Sequence, residues 1–393
     1  MTPHASRLTP HRNVLIVTGE ASGDLHGSKL IGAAREIEPE LRFFGIGGAR
    51  MAAAGCEILV PGEELAVMGL VEVIGHFPVI RRAFNRLKAL LHGPGRPDAL
   101  VLIDFPEFNL RLARVAKQAG VPVLYYVSPQ VWAWRRGRVK KIAAVVDRLA
   151  AIFPFEPELY RGLDIQVEYV GHPLLDEFQP PMARPAFLES FGIEPARPVV
   201  GIFPGSRHNE LRYNFEVMLA AAEEIRRRRP ETAFLLPIAP SFSRSEIEAK
   251  LGNHGLPVTL VEGNIYNVAN ACNAILAVSG TVTLQIALVG TPMAIVYRMS
   301  PLTYAIGKRL VKLPYIGLTN IVAGEGVVRE FIQHEATAAN LASEIVRILD
   351  DAGYAQQINT GLARVRCRLG EPGCSRRVAR MLLGMLPENS QGN

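Results

Sequence analysis

Five apolar residues, Ala99–Ile103, run without a break into Asp104-Phe105-Pro106-Glu107-Phe108-Asn109. So short an unbroken run predicts a strand buried on both faces, the pattern of a parallel sheet covered by helices. Pro106 cannot donate to a ladder, so the strand stops near Asp104. Two carboxylates and an amide then stand at the carboxyl end of a central strand. In open α/β sheets that end faces the ligand crevice. Asp104 is therefore either a ligand-facing group or a structural one, capping the next helix or pairing with a local arginine. Position alone leaves both readings open.

The same grammar recurs along the chain. Asn13–Gly19 reads as a strand that turns through Glu20-Ala21-Ser22-Gly23-Asp24 into a helix reaching about Glu38. Gly19 and Gly23 admit a close backbone approach, and the helix start offers N–H groups to an anion. The turn is not GxGxxG, and no acid is placed to hold a ribose, which disfavours a nicotinamide-dependent dehydrogenase. Leu41–Gly45, Val121–Val127 and Val145–Ile152 read as further strands. Prolines at 180, 181, 185, 195 and 198 mark a linker. Beyond it the pattern restarts with Val199–Phe203, Phe234–Ile238, Val258–Leu260, Ala274–Val278 and Pro292–Tyr297. Two loops stand out there: Pro204-Gly205-Ser206-Arg207, and Ser279-Gly280-Thr281 at a helix start, where small hydroxyl residues suit a diphosphate. A chain of 393 residues exceeds one compact core. The expectation is two Rossmann-like, doubly wound α/β domains facing a cleft, 1–180 and 181–373. A closing helix at about 374–393 can pack back on the first.

Composition excludes more than it assigns. Four scattered cysteines form no CxxC pair and share no ligand spacing with histidine; a reducing compartment, no disulfide and no metal are expected. No signal peptide is expected, and the sequence holds no run of about 18 apolar residues. The net charge of +6 permits anionic partners. Trp132 and Trp134 sit beside Arg135, Arg136, Arg138, Lys140 and Lys141; rings next to cations can hold a sugar face, but the patch is short for a nucleic-acid site. Between 65 and 91, Val67–Ile74 is apolar. Ile80, Ala83, Phe84, Leu87 and Leu91 then make one stripe, with Arg81, Arg82, Arg86 and Lys88 off it. That helix either lies on an anionic bilayer or buries its stripe on the sheet with its basic face solvated. Val67, Met68, Leu70, Val73, Ile74 and Phe77 are the candidate lipid-facing patch.

Taken together, the motifs resemble one family. Gly19-Glu20-Ala21-Ser22-Gly23-Asp24, Ile103–Asn109, Tyr126-Val127-Ser128-Pro129-Gln130-Val131-Trp132-Ala133-Trp134, Val170-Gly171-His172-Pro173, Pro204–Arg207, Ser279–Thr281 and Leu318-Thr319-Asn320 occur in order. The chain resembles the lipid-A-disaccharide synthases, membrane-associated glycosyltransferases of two Rossmann-like domains (GT-B). The resemblance implies transfer from UDP-2,3-diacylglucosamine to 2,3-diacylglucosamine 1-phosphate (lipid X), on the cytoplasmic face of the inner membrane, with no cofactor, metal or nucleic acid. It implies Asp104 as general base, with Glu20, Asp24 and Glu107 as rivals. Glu20, Ser22, Asp24, Glu107, Asn109 and Gln130 would contact substrate. Arg207, Ser279, Gly280, Thr281, Gln285, Asn320 and Gln333 would contact UDP. Family members often carry glutamate where this chain has Gln285, whose amide can still accept a ribose hydrogen bond, without charge. The alternative is an isomerase like UDP-N-acetylglucosamine 2-epimerase, which shares the Ser-Gly-Thr type of loop but needs no lipid surface.

Overall fold

The computed structural model describes residues 12–65, 70–134, 137–252, 254–310 and 313–387, with the side chains of 70–77, 133–134 and 310 excepted. The chain forms two compact units. One runs to Asp176 and is rejoined by the chain from Glu371; the other is Glu177–Gly370.

The first unit is a parallel sheet of β1 (Asn13–Thr18), β2 (Arg42–Gly47), β3 (Cys56–Pro61), β4 (Ala99–Ile103), β5 (Val123–Tyr126), β6 (Arg148–Ala151) and β7 (Gln166–Tyr169). Its order is β3-β2-β1-β4-β5-β6-β7. All five residues of β4 are buried, as their unbroken apolar run requires. The order reverses between β1 and β4, where Thr18 pairs with Ile103. β3 is an edge strand whose exposed Glu57 and Pro61 break up its apolar run.

The helix Leu70–His92 settles one of the open alternatives. Ala83, Leu87 and Leu91 are buried in the core and Ile80 and Phe84 pack against it, while Arg81 and Arg82 are exposed. The stripe therefore serves the sheet, with its basic face solvated. Val67 and Met68 lie outside the described residues, as do the side chains of Leu70, Val73, Ile74 and Phe77. At the other end of the chain, the helix Cys374–Leu383 packs on the helix Ala21–Ile37, burying Val378, Ala379 and Leu382. Its first amides are held by Asp176, which accepts from Gly373, Cys374 and Ser375 N–H at 2.5, 3.1 and 2.9 Å.

The second unit repeats the plan with β8 (Val199–Phe203), β9 (Ala233–Pro237), β10 (Val258–Val261), β11 (Ala274–Val278), β12 (Met293–Tyr297) and β13 (Glu330–Ile332). The order is β10-β9-β8-β11-β12-β13, all parallel. Here the reversal falls between β8 and β11, where Ala277 pairs with Phe203. Each unit is thus a Rossmann-like, doubly wound α/β sheet.

Candidate active site

Open α/β sheets bind ligands outside the strand carboxyl ends, where the order reverses. Both units have a cavity there. In the first it measures about 490 Å³ and is lined by Gly19, Glu20, Ser22 and Asp24 after β1, Gly47–Arg50 after β2, Gly62, Glu63 and Leu65 beyond β3, and Phe105 after β4. Glu20 and Ser22 are exposed in it. Asp24 also lines it, but its oxygens accept from Gly48, Arg50 and Met51 N–H at 2.7, 3.1 and 3.1 Å. Its carboxylate thereby caps the helix Ala49–Ala53 and fixes Gly48 in the turn after β2.

Asp104 stands one residue before Phe105 at the same strand end. Both have left-handed backbones, φ 49° and 47°. Such strain in a non-glycine residue costs on the order of 1–3 kcal/mol and concentrates at functional sites. Three neighbours pin it. The Asp104 carbonyl accepts from Tyr125 Oη at 2.6 Å and from Asn109 Nδ2 at 2.7 Å, and Asp104 N–H points to the Tyr126 carbonyl at 3.4 Å. Burial, then the charge of Asp104, raises the Tyr125 phenol well above its ordinary pKa, so it remains a donor. The motif residues thus divide: Asp104 is half-buried, while Asn109 is fully buried and shapes the turn. Asn109, expected at the substrate, donates its amide to the Ile103 and Asp104 carbonyls within that turn.

Glu107 is exposed and forms an ion pair with Arg138. Gln130 is exposed on the loop after β5, where Val127 is also left-handed, φ 57°. Trp132 is 5% exposed and packs edge-on against Phe153 and Phe155; it is core, with no ring face offered to a sugar. His172 is buried too, and its Nδ1 accepts from Leu174 N–H at 3.2 Å. Burial, then neighbouring His26, pushes its pKa down to about 3, so the imidazole is neutral.

The second unit's cavity measures about 370 Å³ and gathers Pro204–Arg207 from β8 with Ser279–Val282 and Gln285 from β11. Two helices begin here, and they differ. Glu210 accepts from Ser206 and Arg207 N–H at 2.9 and 3.3 Å, so the start of the helix His208–Arg228 already holds a carboxylate. Gly205 makes this possible: its φ is 97°, and a Cβ would lie 2.3 Å from Glu210 Oε2. The start of the helix Thr281–Val289 has no such cap. Thr281 and Val282 line the cavity, and a Cβ on Gly280 would meet nothing within 4 Å. That open space suits a phosphate against a helix N-terminus. Arg207, whose side chain is 68% exposed, supplies the cation.

Two residues expected at the nucleotide are engaged by the protein itself. Asn320 is fully buried, and all its hydrogen-bonding capacity is taken. Nδ2 donates to the Val328 carbonyl and Glu330 Oε1, both at 2.8 Å, and Oδ1 accepts from Val327 and Val328 N–H. Glu330 in turn accepts from Ile316 and Gly317 N–H, and the Ile316 carbonyl accepts from Ser279 Oγ at 3.0 Å. Asn320 thus reaches the cavity only through this chain of bonds. Gln333 clamps both backbone groups of Met299, at 2.9 and 3.2 Å. Neither partner is adjacent in sequence, so only the fold reveals these roles. Sequence reasoning also missed Arg50, Glu63, Leu65, Pro237–Pro240 and Gly263, which line the cavities without belonging to a motif.

Residues 14–377 match the family model described as lipid-A-disaccharide synthetase.

The chain belongs to the lipid-A-disaccharide synthetase family.

It is 67% identical over 371 residues to the lipid-A-disaccharide synthase of Syntrophotalea carbinolica, covering 94% of this chain and 95% of that one. The corresponding synthase of Geobacter metallireducens is 53% identical over 377 residues, covering 96% and 98%. Among solved structures, a glycotransferase of kitacinnamycin superposes with a TM-score of 0.62 at 17% identity, covering 95% of this chain and 99% of that one; at that identity the likeness speaks for the fold. Family membership makes the chain a glycosyltransferase of lipid A biosynthesis on a GT-B type fold, in place of the isomerase alternative.

Proposed function

We propose that this chain joins UDP-2,3-diacylglucosamine to the 6-hydroxyl of 2,3-diacylglucosamine 1-phosphate with inversion, giving the β-1,6 disaccharide 1-phosphate and UDP. Asp104 takes the proton from the acceptor hydroxyl as its oxygen attacks the anomeric carbon. The bond from that carbon to the diphosphate breaks, and UDP departs with the electron pair. Charge growing on the diphosphate meets Arg207 and the uncapped start of the helix Thr281–Val289, donors already in place before the reaction. Gly280 leaves the diphosphate room, and Gln285 accepts from the ribose. Glu20, Ser22 and Gln130 hold the acceptor, with Glu107 steadied by Arg138.

The observation that carries this reading is the strained, triply pinned backbone at Asp104. It holds a carboxylate at the switch point of the first sheet, where a base is needed. Both substrates are amphiphiles, so the enzyme works peripherally on the cytoplasmic face of the inner membrane, with Val67, Met68, Leu70, Val73, Ile74 and Phe77 as one lipid-facing patch. No helix among the described residues is long and apolar enough to cross a membrane.

The test is UDP release in detergent micelles from UDP-2,3-diacylglucosamine, with and without lipid X. Acceptor-dependent release together with a tetraacyl disaccharide is expected. Release that ignores the acceptor, or an epimerised sugar as product, would sink the proposal.

A further inference from the structure

After β12 the chain passes through Arg298 and Met299 into the helix Pro301–Leu310. Its root is rigid. Asn214 accepts from Arg298 N–H at 2.8 Å and donates to the Arg298 carbonyl at 3.2 Å, and Gln333 clamps Met299 in the same manner. Ser300 Oγ caps the first turn through Thr303 N–H at 3.1 Å. Beyond this root the helix turns its apolar residues to water. Leu302 is 72% exposed and Ile306 52%, the two most exposed large apolar side chains among the described residues. They sit four residues apart, on one face. A Cβ on Gly307 would meet nothing within 4 Å.

Compare the helix Ala338–Asp350, which buries Leu341, Ile345 and Ile348 on its own sheet. An apolar face left in water above a firmly clamped base marks a contact surface rather than a packing fault. Charge identifies the partner. Arg298, Lys308 and Arg309 are exposed, and no acidic residue occurs from Tyr297 to Tyr315. An apolar face on a stretch whose charged residues are all cations matches an interfacial helix on anionic lipid.

We propose that the helix Pro301–Leu310 is a membrane contact of the second unit: Leu302 and Ile306 insert at the headgroup boundary of an anionic bilayer, and Lys308 and Arg309 meet its lipid phosphates. This rests on the reading that both substrates are membrane lipids. The helix leaves the carboxyl edge of the sheet that also carries the second cavity, so the contact sets that cavity's sheet edge at the bilayer.

The experiment uses the full chain and compares Leu302→Ser/Ile306→Ser and Lys308→Ala/Arg309→Ala with the parent. Co-sedimentation is measured with phosphatidylethanolamine–phosphatidylglycerol vesicles and with pure phosphatidylcholine vesicles. The apolar pair should weaken partition onto the anionic vesicles at least about tenfold, given the area two such side chains bury. The basic pair should weaken it on the anionic vesicles only. UDP release in detergent micelles should stay at the parent level for both variants. Unchanged partition for both variants overturns the proposal. So does lost micellar activity with partition intact, which would assign the face to the substrate's own acyl chains. A change in solution mass with partition intact would assign it to a second copy of the chain. Parent activity in micelles tests the transfer reading separately: a chain that binds vesicles through this helix yet transfers no sugar keeps the contact and loses the reaction.

Discussion

At the residue scale, two positions translate most directly into measurements. At Gly280, at the start of the helix Thr281–Val289, an added Cβ would meet nothing within 4 Å. Gly280→Ala places a methyl group there, so the KM for the UDP-sugar should rise about tenfold, the low end of what one misfitting group costs in a close-fitting site. The melting temperature should hold, because the new Cβ touches no protein atom. Glu156 is the other. Its Oε2 accepts from Ile152 and Phe153 N–H, both at 3.0 Å, and burial raises its pKa to about 7 against those bonds. A carboxyl group whose pKa is higher folded than unfolded favours the fold when protonated. That contribution is complete below its unfolded pKa and is lost as pH rises through the folded value. Glu156→Gln keeps an acceptor and removes the charge. Denaturant melts should therefore find the variant more stable than the parent above about pH 7, by at most roughly 3 kcal/mol, with the difference gone near about pH 4.

At the element scale, much of the fold was legible because buried parallel strands announce themselves. β1, β4, β8 and β11 are apolar runs ending in glycine, hydroxyl or carboxylate residues, and those ends proved to flank both switch points. β3 and β13 were not legible: one is an edge strand broken by exposed Glu57 and Pro61, the other has three residues. The site divides in the same way. Ser279-Gly280-Thr281 could be placed at a helix start after a strand because local backbone chemistry sets that turn. Asn320 and Gln333 could not, since their partners, Glu330 and Met299, are supplied by tertiary structure. Asp176 carries the prediction at this scale. It caps the helix Cys374–Leu383 with three accepted N–H bonds, and these hold its pKa below the usual carboxylate value although burial opposes them. Asp176→Ala should cost about 1–2 kcal/mol, as lost caps do. Hydrogen exchange should show the loss concentrated in residues 373–383.

At the scale of the whole molecule, two units with separate cores carry separate cavities. UDP should therefore protect one of them first. At a hundredfold excess over its dissociation constant, a ligand adds about 2.7 kcal/mol to the state that binds it. Slowed exchange is expected at 204–207 and 279–285, with the loops after β1 and β4 unchanged. Protection confined to the first unit would misassign the nucleotide. The central claim is that Asp104, held in a strained backbone at the first switch point, is the base of the transfer. The measurement that reaches it most directly is acceptor-dependent UDP release by Asp104→Ala beside the parent, with matched thermal melts. General-base catalysis predicts a fall of at least about a hundredfold in a folded variant. Release near the parent rate from folded Asp104→Ala would contradict it and pass the role to Glu20 or Glu107.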